Sequence, residues 1–116
     1  MRYDSEMAYD EGLADRVRAV LAEEDGLTER KMFGGLAFML RGNMACGIVK
    51  DELMLRLGPE GADSALDRPH VRQMDFTGRP MTGMVFVAPA GLAGDALGDW
   101  VARAVGYARA LPPKAK

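Results

Sequence analysis

The chain has 116 residues, of which 48% are hydrophobic and 28% charged, and its 15 Lys and Arg stand against 17 Asp and Glu for a formal charge of -2. That composition describes one globular domain over residues 1–116, and the charge balance excludes any global electrostatic pull toward nucleic acid or an anionic membrane. One cysteine excludes an intrachain disulfide and a CxxC pair, and without a leader-like segment or an apolar run of about 18 residues the expectation is a cytoplasmic protein with no membrane partner.

Met1 to Glu6 form a polar lead. From Tyr9, Leu13, Val17, Val20 and Leu21 recur at helical spacing, Asp15, Arg16, Arg18, Glu23 and Glu24 fall outward, and Gly26 is expected to stop the helix. The period then changes to two. Leu36, Phe38 and Leu40 define one strand face, with Ala37 and Met39 opposite. Arg41-Gly42-Asn43 supplies a turn before Met44, Cys46 and Ile48. Lys50-Asp51-Glu52 reverses the chain into Leu53, Leu55 and Leu57, opposite Met54 and Arg56. Connections this short predict an antiparallel meander. Gly58-Pro59 opens a short helix reaching Leu66, and Asp67-Arg68-Pro69 ends it. Val71 to Phe76 and Met84 to Val87 are two further strands around Gly78-Arg79-Pro80. A last helix begins near Asp95 and places Leu97, Val101, Ala104, Val105, Ala108 and Leu111 on one face, with Trp100 and Tyr107 at its flank. Pro112-Pro113 stops it, and residues 112–116 form a short polar tail. The predicted fold is α+β, an antiparallel sheet covered by N- and C-terminal helices in the order α-β-β-β-α-β-β-α.

The stretch Lys31-Met32-Phe33-Gly34-Gly35 offers a base beside two glycines, the raw material of a loop whose amides hold an anion. Its spacing matches neither GxGxxG nor GxxxxGK[ST], and it precedes a strand where a phosphate loop precedes a helix. Its expected role is therefore a turn or close packing at the start of the first strand, with Met32 and Phe33 as anchors. Cys46 sits on an apolar alternating strand, which predicts a small buried side chain; a nucleophile needs access and a base, and His70 beside Pro69 reads as a surface residue. One Cys and one His exclude a four-ligand Cys/His zinc site, and no cofactor is expected. Glu23-Glu24-Asp25 and Asp51-Glu52 read as solvated ends and turns. Asp75 and Arg79 flank a turn that an Arg-carboxylate fork would orient. Arg56 reads as a solvent-facing or paired strand residue. The nine methionines fill irregular cores and also make adaptable partner surfaces.

Taken together, "ERKMFGGLAFMLRGNMACGIVKDELMLRLGP", "MDFTGRPMTGMVFV" and "WVARAVGYARALPPK" resemble the N-terminal domain of the TfoX family, also called the Sxy family of competence regulators, over almost the whole chain. The resemblance implies a compact α+β domain and a part in regulating DNA uptake and transformation. Regulators of this type commonly carry a further C-terminal helical domain, and the resemblance covers the N-terminal domain without it. The motif-bearing residues are Lys31, Met32, Phe33, Gly34, Gly35, Arg56, Asp75, Gly78, Arg79, Pro80 and Met81. With no chemical triad or cofactor loop in the sequence, the expected activity is a non-enzymatic regulatory or protein-interaction domain. Its expected partner is a protein or a second copy in a homodimer, and direct nucleic-acid binding is disfavoured. The alternative is a small-ligand-binding domain or an enzyme that uses the Lys31–Gly35 edge with Arg56 and Arg79.

Overall fold

The computed structural model describes residues 9–32, 34–76 and 79–112, the side chains of Met32, Asp75, Phe76 and residues 79–81 excepted. Asp10 caps the first helix, α1 (Glu11–Val20), by accepting a hydrogen bond from the Leu13 N–H at 3.0 Å. This satisfies one of the donors that a helix start leaves open. Leu13, Ala14 and Val17 are buried along one stripe. The helix ends at Leu21 and does not run on to Gly26. Gly26 instead takes φ +76 just ahead of a strand, and its carbonyl accepts from the Arg41 N–H at 3.0 Å.

Four strands follow as a meander: β1 (Leu27–Met32), β2 (Gly35–Leu40), β3 (Asn43–Val49) and β4 (Glu52–Arg56). The helix α2 (Gly58–Ala65) carries the chain across to β5 (Val71–Phe76) and β6 (Arg79–Val87). A single 3-10 turn, Pro89–Gly91, leads to α3 (Ala96–Ala110). The sheet is antiparallel throughout in the order β1-β2-β3-β4-β6-β5. The α+β fold matches the expectation, with β1 as a strand the sequence pattern did not announce. The meander turns are two residues long, as the pairings Met32 with Gly35, Leu40 with Asn43 and Val49 with Glu52 require. At Arg41-Gly42 both φ angles are positive, 52 and 86, the combination that suits the right-handed twist of the flanking strands.

Alternation divides the sheet into two apolar faces. Leu36, Phe38, Leu40, Cys46, Ile48, Leu53, Leu55, Val85 and Val87 form a core with Leu13, Val17, Leu97, Trp100, Val101 and Ala104 from the helices. The helix α3 lies against β2, β3 and β4 and touches α1, while α2 packs on β6. Trp100 is thus a core residue, 4% exposed, and not the flank residue expected. Each large side chain wholly removed from water contributes about 1.5–3 kcal/mol. The opposite face gathers Met54, Met74, Met84 and Phe86, with Met44 and Val49 against them. Ala45 is the extra residue of a bulge between Phe38–Cys46 and Met39–Met44, so it joins Cys46 on the helix side. Beyond α3, the Asn43 side-chain amide donates to the Pro112 carbonyl at 2.8 Å and ties the helix end to the sheet. Leu57, expected as the last residue of its strand, instead caps α2.

Candidate functional site

The two glycines after Lys31 do different work. Gly34 takes φ +74, and a side chain there would meet nothing within 4 Å; Gly35 has an ordinary φ, but a Cβ on it would stand 2.0 Å from the Ile48 carbonyl oxygen. One glycine is fixed by backbone conformation and the other by space. The pair closes the β1–β2 hairpin, with Gly35 already a ladder residue opposite Met32, so the segment leads into the second strand and not the first. This is not the strand-to-helix setting in which amides converge on a phosphate. Lys31 is exposed. Phe33 and the Met32 side chain lie outside the described residues.

Arg56 ends β4 half-buried, its guanidinium carbon 5.7 Å from the centre of the Tyr107 ring. Directly after it, Gly58 takes φ +80, and a Cβ there would come within 2.5 Å of that ring. Gly83, with φ +84, would bring a Cβ within 3.2 Å of the Gly58 backbone, and its carbonyl accepts from the Leu57 N–H at 2.9 Å. Arg56, Gly58, Gly83 and Tyr107 therefore make a close-packed junction between the sheet, α2 and α3. In the neighbouring hairpin the backbone pairs Asp75 with Pro80 and Phe76 with Arg79. Gly78 lies outside the described residues, as do the side chains of Asp75, Arg79, Pro80 and Met81, and with them the Asp75–Arg79 ion pair.

These segments do not meet. The β1–β2 hairpin stands at the end of the sheet where β4 begins and β6 finishes. Arg56 closes β4 and Arg79 opens β6 at the other end. Across the sheet, β1 and β6 are four strand spacings apart, roughly 19 Å. A single ligand site drawing on Lys31–Gly35, Arg56 and Arg79 together has no place in this topology.

Cys46 is fully buried, and burial pushes its thiol up to about 12. His70 is exposed beyond β5, three strand spacings from β3, so the two form no nucleophile–base pair. Glu24 and Glu52, expected to be merely solvated, instead tether elements, and Glu29 does the same. Glu24 binds Arg109, Glu52 binds Arg72, and Glu29 takes a two-pronged contact from Arg18 at 2.7 and 2.9 Å. Among the described residues no group of three or more His, Cys, Asp or Glu converges as a metal site, and no helix is long and apolar enough to cross a membrane.

Two features escaped the sequence reading. The first is the β1 edge, where Thr28, Glu29, Arg30 and Lys31 are all exposed and the strand pairs only with β2 among the described residues. The second is a hollow of about 290 Å³ where Arg68 and Arg103 lie over Trp100. Residue 100 carried a signal as the only tryptophan, but nothing in the sequence brings Arg68 to it. No curated protein and no solved structure matches the chain. The family described as TfoX N-terminal domain matches residues 19–108, from the last turn of α1 through nearly all of α3.

Proposed function

Because the chain belongs to the TfoX N-terminal domain family, we propose that it is a non-enzymatic regulatory domain that acts by protein contact, in the control of DNA uptake and transformation. The observation that carries the contact reading is the β1 edge. An edge strand offers a row of backbone donors and acceptors to another strand. The bond from Arg41 N–H to the Gly26 carbonyl sets the alternation along the β1–β2 ladder, which turns the amides of Glu29 and Lys31 away from β2.

The occupant that fits is a second copy. Two β1 strands related by a two-fold axis through Arg30 put Glu29 of each opposite Lys31 of the other on one face. The like pair of Arg30 residues meets on the other face, where solvent weakens the repulsion. A homodimer with one continuous sheet results. Sedimentation velocity over a concentration series tests it. The wild-type chain is expected to dimerise, and Lys31→Pro, which removes an outward amide and leaves the β1–β2 ladder intact, to shift it to monomer. Lys31→Glu is expected to weaken the dimer. A monomeric wild type, or a Lys31→Pro variant that still dimerises, would overturn the edge pairing.

A further inference from the structure

Trp100 is the one tryptophan of the chain, and two arginines lie over its ring. The guanidinium carbon of Arg68 is 5.0 Å from the ring centre and that of Arg103 is 5.3 Å. Arg103 follows Trp100 by one helical turn of α3, so both belong to one helix surface. Arg68 comes from the segment that ends α2. The indole is buried to 4% exposure while both arginines are exposed. With Ala96, Asp99 and Ala102 they line the hollow of about 290 Å³.

Stacking alone does not distinguish these arginines, since Arg72 also lies over a ring, that of Phe86 at 4.6 Å. Charge balance sets them apart from Arg72, and sharing one ring sets them apart from Arg56, which lies alone over Tyr107. Arg72 holds Glu52, Arg18 holds Glu29 and Asp15, and Arg109 holds Glu24. Among the described residues no carboxylate lies within 4.0 Å of Arg68 or Arg103, although Asp99 shares their hollow. Two guanidiniums are thus held by a fixed ring with no carboxylate partner among the described residues, and less freedom is lost when an anion joins them.

The lining also selects the kind of anion. A volume of about 290 Å³ is at the small end for ligand pockets and suits a side chain more than a cofactor. Two arginines against one aspartate leave a single net positive charge, and the whole chain carries -2. A polyphosphate or nucleic-acid backbone would find that balance poor. A protein segment with an acidic side chain fits it, because Asp99 is then available to accept a hydrogen bond from the segment's backbone amide.

We infer that the Arg68–Trp100–Arg103 hollow docks an acidic segment of a protein partner, one carboxylate of which is received by the two guanidiniums. This deepens the protein-contact reading but uses a different surface from β1, so failure of self-pairing and failure of this site are separately visible.

Trp100 reports on the site directly, since no other indole contributes to the emission. An oligo-glutamate peptide titrated into the full chain at low salt is expected to give a saturable change in tryptophan fluorescence that weakens as salt is raised. Arg68→Gln and Arg103→Gln should each weaken the apparent affinity by about tenfold or more, the loss of a charged hydrogen bond. Arg103→Lys, which keeps the charge and loses the planar fork, should fall between wild type and Arg103→Gln. Arg56→Gln should bind as wild type does, and circular dichroism identifies any variant that has not folded. The inference is overturned if the peptide gives no saturable signal, if oligo-glutamine of equal length gives the same one, or if folded Arg68→Gln and Arg103→Gln bind unchanged. Inorganic phosphate binding as tightly as the peptide would also overturn the assignment to a protein segment.

Discussion

The contrast between Gly34 and Gly35 makes the reason for a glycine measurable. At Gly34 an added methyl meets nothing, so Gly34→Ala carries only the left-handed backbone penalty, about 1–2 kcal/mol. At Gly35 the methyl would drive into the Ile48 carbonyl at 2.0 Å, and β2 must part from β3 to admit it. Gly35→Ala is therefore expected to cost about 3 kcal/mol or more, the upper range of overpacking, and to lower the urea midpoint clearly further than Gly34→Ala does. Equal losses at the two positions would contradict the division of roles. Gly58 and Gly83 combine both causes, with φ +80 and +84 and an added Cβ meeting Tyr107 at the first and the Gly58 backbone at the second. The four glycines are thus accounted for by backbone conformation and close contacts within the fold.

Between elements, the clearest electrostatic tie joins α1 to β1. The two hydrogen bonds from Arg18 hold the Glu29 carboxyl below its usual range, against an opposing effect of burial. A lowered folded-state value means that the unfolded chain takes up its proton first as the pH falls. The stabilisation is thus fully present above the ordinary glutamate range and is lost as the pH drops through the folded value. Both side chains are more than a third exposed or nearly so, 38% and 35%, which limits the pair to about 1 kcal/mol or less. Glu29→Gln is expected to be less stable than wild type by that amount at neutral pH, with the difference closing in acid; chemical denaturation at the two pH values measures it. The strand carrying Glu29 also marks where the sequence was silent. Hydrophobic alternation reports burial, and residues 28–31 are exposed on both faces, so a strand with no alternating apolar face left no trace. By contrast β2, β3 and β4 were legible because one face of each meets the helices. The hollow at Trp100 was not legible, because Arg68 and Arg103 come together only through the packing of α2 against the sheet.

Across the whole molecule, the sheet is apolar on both sides. Leu53 points toward the helices and is 0% exposed; its neighbour Met54 points the other way and is 1% exposed. Truncating either removes a well-packed side chain, so Leu53→Ala and Met54→Ala are each expected to cost about 2–5 kcal/mol in denaturant melts. A near-neutral Met54→Ala would show that the methionine face is dispensable to stability. The position of β6 has a consequence for how the chain assembles. The pairings within the meander, and those between β5 and β6, join neighbours in sequence through two-residue reversals. The β4–β6 pairing, from Leu53 with Val87 to Arg56 with Met84, instead closes a loop of roughly 30 residues, against a larger chain-entropy penalty. Two locally paired pieces thus exist on either side of that seam: the meander, on which α3 rests, and the β5–β6 hairpin, against which α2 packs. Closure of the β4–β6 seam is the step that turns two hairpin systems into one cooperative unit.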